Sequence, residues 1–134
     1  MFGEELARVR QIAELRDGPG VPLDEGLSAE DSSKLLRLAE ISPRSAVLEA
    51  WGILEAEIRE TLGDRGVDSA GVPAVNLGDA LQERGLVDAD SLQMFHMLRG
   101  LRNQAVHETD IGISTDQAIE YANLARDLAA SITQ

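Results

Sequence analysis

Between Val47 and Leu62 the apolar residues Val47, Trp51, Leu54, Ile58 and Leu62 recur every three or four positions, with Glu55, Glu57, Arg59 and Glu60 set between them. That is the period of an α-helix with one buried face, and it does not fit the two-residue alternation of a strand. Ser42 stands where an N-cap is needed, and Pro43 occupies the first helical position, where its missing N–H leaves no bond unmade. Three further segments carry the same signal. Leu77 to Arg84 makes about two turns before Gly85-Leu86, a left-handed stop with its apolar follower. Met94, Leu98, Leu101 and Ala105 form a stripe that Asp88 or Asp90 can cap. Ala118, Ala122, Ala125, Ala129 and Ile132 form another, flanked by Tyr121, Leu124 and Leu128 and opened by Ser114-Thr115-Asp116-Gln117, a capping box. The reading is an all-α fold, an up-and-down helical bundle with four principal helices near residues 43–62, 76–84, 89–107 and 115–132, plus N-terminal helical segments. Gly63 to Pro73 reads as a loop, and β-branched residues are too scattered for a sheet.

The N-terminal material is weaker in pattern. Phe2, Leu6, Val9 and Ala13 make one stripe, which Asp17-Gly18-Pro19-Gly20 ends. Leu35, Leu36, Leu38, Ala39 and Ile41 make a second behind a Ser28/Asp31 capping arrangement. Residues 1–27 are therefore read as an N-terminal helix and flexible connector, and 28–134 as the bundle. At 134 residues the chain can bury one core without staples, and with no cysteine it has no disulfide or thiolate chemistry. No apolar run is long enough for a membrane span, and the N-terminus lacks the order of a signal peptide, so a soluble, cytoplasmic protein is expected. The opening Phe2-Gly3-Glu4-Glu5-Leu6 would serve equally well after a preceding span or domain. No HExxH-type cluster and no phosphate-binding glycine loop occurs, so neither metal nor cofactor is indicated.

The chemistry-bearing stretch is Arg102-Asn103-Gln104-Ala105-Val106-His107. It sets a permanent cation, an amide and an imidazole close together at the end of the third principal helix. Asn103 and His107, four apart, share a helix face, and Arg102 sits one step around with a stem long enough to reach the same spot. The stretch resembles the Rx4-6H signature of the HEPN superfamily, small all-α domains that include metal-independent ribonucleases of toxin–antitoxin and CRISPR systems. Ser42-Pro43 opening a long helix with a central Trp51 and Glu55, then Leu98-Arg99, then the motif and a closing amphipathic helix extend the similarity over roughly residues 42 to 133. The resemblance implies a HEPN-like bundle with Arg102, His107 and Asn103 as catalytic residues, and we add Arg99 and His96 as substrate-binding ones. His107 would take the proton from an RNA 2′-hydroxyl and Arg102 would neutralise the phosphorane, which leaves a 2′,3′-cyclic phosphate and selects RNA, not DNA. Active members of the family pair two such motifs at a homodimer interface, and an antitoxin or other protein partner is implied for some. Members regulated by adenylylation carry a tyrosine two positions after the histidine, where this chain has Thr109.

Charge both opposes and supports that reading. The formal charge is −12, with Lys34 the only lysine beside eleven arginines. Such acidity opposes polyanion binding as a whole. Yet Ser91 to His107 holds no Asp or Glu while carrying His96, Arg99, Arg102 and His107, a local cationic patch. Each candidate also has a plainer role. His96, between Phe95 and Met97, reads as a packed core histidine; His107 can cap the last helical carbonyls; Arg102 can brace Glu49 or Glu55; and Trp51 reads as core. The rival function is a noncatalytic dimeric interaction or sensing module, and a third reading is a helical bundle that only mimics the pattern.

Overall fold

The computed structural model describes residues 2–17, 29–108 and 112–133, and among them the chain forms six helices and no strand. They are α1 (Phe2–Asp17), α2 (Ala29–Ile41), α3 (Pro43–Asp64), α4 (Ala74–Glu83), α5 (Ala89–His107) and α6 (Thr115–Thr133). The connector after α1, the Ser28/Asp31 cap and Thr109 lie outside the described residues.

Local chemistry accounts for most of the boundaries. The Ser45 N–H donates to Ser42 Oγ at 3.3 Å ahead of Pro43, and the Ser91 N–H donates to Asp88 Oδ1 at 2.7 Å, so Asp88 and not Asp90 caps α5. At α6 the capping box is reciprocal: the Gln117 N–H donates to Ser114 Oγ at 3.1 Å and the Ser114 N–H to Gln117 Oε1 at 3.0 Å. Each such cap stabilises its helix by about 1 kcal/mol. Helix α4 ends as expected, with Gly85 at φ 68° and the Leu86 N–H returning to the Leu81 carbonyl at 3.0 Å. Helix α3 ends the same way at Gly66, φ 83°, with the Val67 N–H on the Leu62 carbonyl at 2.9 Å. The stretch read as an open loop from Gly63 thus begins with two more helical residues and a closed turn. Arg59 then pins the remainder, donating to the Ser69 and Val72 carbonyls while paired with Glu55.

Helices α3 and α6 make the most extensive pairing in the molecule. The small residues Ala118, Ala122, Ala125 and Ala129 allow it, with Val47, Trp51, Leu54, Ile58 and Leu62 of α3 all buried. Trp51 packs on Phe95 of α5 with ring centroids 5.4 Å apart, and so belongs to the core. The order of contacts gives the directions. Arg44 meets Ala105 and Val106 while Trp51 meets Phe95, so α3 and α5 are antiparallel. The C-terminal halves of α3 and α6 wall one cleft, so those two run the same way. The up-and-down alternation therefore runs through α2, α3, α5 and α6, and among the described residues the short α4 packs on α3 and α5 alone. This corrects the expected set of four, because α4 is too short to span the bundle. Helix α1 buries Phe2, Leu6, Val9 and Ala13 against α5 and α6, in the same core as the rest. Among the described residues no helix is long and apolar enough to cross a membrane.

Candidate functional site

Helix α5 turns Met94, Leu98, Leu101 and Ala105 fully inward. At roughly 100° per residue, the opposite face then carries His96, Arg99, Asn103 and His107 within an arc of roughly 80°. The burial pattern agrees, since His96 and His107 are exposed and Arg99 and Asn103 half-buried. His96 is therefore not a core histidine. Its sequence neighbour Phe95 points inward, and the two rings meet only edge-on, centroids 5.4 Å apart at 71°. Adjacent residues on a helix lie on different faces, which is why apolar neighbours in sequence misled the reading.

Arg102 sits on the flank of the helix, between the buried face and the outward one. Its Nη1 donates to Asn103 Oδ1 at 3.1 Å. Its positive charge also acts on the Tyr121 hydroxyl, which donates to the Leu98 carbonyl at 2.8 Å. Burial pushes that hydroxyl far above the ordinary tyrosine pKa, and the nearby guanidinium opposes the rise. The alternative of a brace from Arg102 to Glu49 or Glu55 does not form among the described residues: Glu49 pairs with Lys34 at 2.9 Å, while Glu55 accepts from Trp51 Nε1 and Arg59, each at 3.2 Å. Arg102 and Asn103 are thus brought together. Arg102 and His107, five residues apart, are separated by roughly 140° around the helix and roughly 7.5 Å along it.

His107 does not cap its helix either. Arg44, on the first turn of α3, does so from across the bundle, donating through Nη2 to the Val106 carbonyl at 2.9 Å and through Nε to the Ala105 carbonyl. Its charge sits at the negative end of the α5 dipole, where a cation is favoured. The sequence holds no local sign of this, because donor and acceptors lie 61 and 62 residues apart. Beside it, Gln104 Nε2 donates to Glu5 Oε2 at 3.0 Å and ties α1 to the same turn. The imidazole of His107 has no partner among the described residues, and Arg99 makes no ion pair among them.

The outward face of α5 is partly exposed, with His96 and His107 exposed and Arg99 and Asn103 half-buried. A separate cleft of about 400 Å³ lies between the C-terminal halves of α3 and α6, lined by Glu57, Glu60, Asp64, Arg65 and Arg126 among others. Among the described residues no three of His, Asp and Glu are grouped to hold a metal ion. What α5 offers is a set of hydrogen-bond donors and two exposed imidazoles, His96 and His107, with no carboxylate of its own between Ser91 and His107. Compared with protein-family models, with characterised proteins and with solved structures, the chain finds no match.

Proposed function

We propose that this chain is a HEPN-like domain that acts as a metal-independent endoribonuclease on single-stranded RNA, with the outward face of α5 as its phosphodiester-binding surface. The observation that carries the reading is the exposed His107, one turn beyond Asn103 on a helix that holds no Asp or Glu from Ser91 onward. An imidazole can take or give the proton in phosphodiester cleavage, and guanidinium and amide donors stabilise the charge that develops on phosphorus. Single-stranded RNA is the class of substrate because in-line attack by a 2′-hydroxyl needs a backbone not held in a paired A-form helix. His107 serves as either base or acid. A second copy related by a two-fold axis at α5 supplies the other, and the proposed active form is a homodimer. The α1 stripe is buried within the monomer, so the dimer rests on the α5 face alone.

The purified protein should cleave single-stranded RNA in EDTA and leave 2′,3′-cyclic phosphate ends, and His107→Ala should lose that activity while melting at the same temperature. An inactive wild type across varied RNAs, or a His107→Ala protein that cleaves normally, sinks the reading. One observation favours the noncatalytic alternative, a dimeric interaction module for a protein partner: Arg102, the motif arginine, is half-buried on the flank near Tyr121 instead of facing His107.

A further inference from the structure

We infer that the groups of α5 that contact a phosphate are Arg99, Asn103 and His107, and that Arg102 serves them from the side as a positioning residue for the Asn103 amide. The inference rests on the reading of α5 as a phosphodiester-binding face and names the seat within it. Arg99, Asn103 and His107 follow one another at four-residue steps, so each lies about 6 Å along the axis from the next and only roughly 40° around. Arg102 is closer to His107 in sequence but roughly 140° away, and its head group is already engaged by Asn103.

That hydrogen bond fixes more than the arginine. A guanidinium has donors and no acceptor, so the side of the Asn103 amide turned toward Arg102 must be Oδ1, accepting at 3.1 Å. The Nδ2 group and its two N–H bonds are then the part of the amide left for an outside acceptor. A carboxamide turned the opposite way would present a carbonyl oxygen to the arc and repel a phosphate. With the amide held as it is, the arc offers a phosphate a guanidinium, an amide N–H pair and an imidazole N–H. No carboxylate of α5 stands beside them, and Arg99 has no ion pair among the described residues to give up on binding. The motif arginine thus acts through an amide, and the cation that faces the substrate comes from one turn earlier.

Two measurements on the full chain test this, one of which needs no catalysis. In the first, inorganic phosphate is titrated into ¹⁵N-labelled protein while the side-chain resonances of Arg99 Nε, Asn103 Nδ2, Arg102 Nε and the His107 ring are followed. The first two and His107 should move together, with Arg102 nearly still. In Arg102→Gln the Asn103 response should disappear while those of Arg99 and His107 remain, and Arg102→Lys, which keeps a donor, should restore it. In the second, cleavage of a labelled oligouridylate in EDTA should fall about 100-fold in Arg99→Gln, the loss typical of one donor to a developing oxyanion, and about tenfold in Arg102→Gln. The inference is overturned if Arg102 Nε shifts with His107 while Arg99 stays still, if phosphate moves none of these groups, or if Arg99→Gln cleaves as well as wild type. Phosphate shifts in the expected set without RNA cleavage uphold the seat and defeat the ribonuclease reading.

Discussion

At the C-terminal halves of α3 and α6, a cleft is walled by Glu57, Glu60, Asp64, Arg65 and Arg126, so that acids and bases face one another. Along the outward face of α5, His96, Arg99, Asn103 and His107 meet no acid of their own helix. The first region is a cleft of about 400 Å³, large enough for a small molecule, while the second is the exposed side of one helix. Size favours the cleft and chemistry favours the helix. In the cleft the Arg126 head group is 3% exposed and pairs with Asp127 at 3.3 Å, so its charge belongs to the fold. On α5 the head groups remain available to an outside anion, and in a chain with twice as many acids as bases such a face is the more informative of the two.

The sharpest way to break this contrast is to mutate both regions and read both properties. His107→Ala should reduce RNA cleavage by about 10³-fold, within the range for a lost general acid or base, and change stability by less than about 0.5 kcal/mol because the ring is exposed. Arg126→Met should do the reverse. Removing one member of a buried pair should cost about 3 kcal/mol in denaturant unfolding, with cleavage per folded molecule unchanged. If Arg126→Met instead abolishes cleavage in a folded protein, the cleft is the functional region.

Two smaller effects sharpen the account of how α5 is held. Arg44→Ala removes two bonds to the last carbonyls of α5 and should cost about 1.5 kcal/mol, seen as faster hydrogen exchange at the Glu108 amide, which bonds to the Gln104 carbonyl. Tyr121 gives a pH signature. Its folded pKa lies above the unfolded value of about 10, so the stability it contributes is complete below that pH and is lost as pH rises through it. Absorbance of tyrosinate from this lone tyrosine should appear together with loss of helical signal and not ahead of it. The smallest effect is expected at Lys34→Gln. Its ion pair with Glu49 is exposed on both sides, and less than about 0.5 kcal/mol should be lost.

How much of this was legible in the sequence follows the reach of each interaction. Ser42, Asp88, Ser114 with Gln117, and Gly85 act on groups within a few residues, and all four signals hold in the structure. The stripes of α3, α5 and α6 were readable for the same reason, since helical period is local. Interactions that join distant segments were not. The partner of Arg44 could not be named before α3 and α5 were known to be antiparallel, and the course of α3 beside α6 depends on how short α4 turns out to be. The motif falls between these cases. That Asn103 and His107 share a face could be counted from their spacing; that Arg102 leans on Asn103 near Tyr121, while Glu49 and Glu55 are taken by Lys34, Arg59 and Trp51, needed the packed neighbours. The burial of Phe2, Leu6 and Val9 inside the monomer likewise removes a surface that the bare sequence offered to a partner.

The contact between Trp51 and Phe95 has a practical consequence. Trp51 is the only tryptophan in the chain, its ring is 3% exposed, its N–H is held by Glu55, and the group it leans on belongs to α5. The molecule therefore carries a built-in optical probe of the helix that bears the candidate site. Any ligand or second copy that shifts α5 against α3 changes the surroundings of that one indole. Binding at the outward face can be followed by its emission in unlabelled protein.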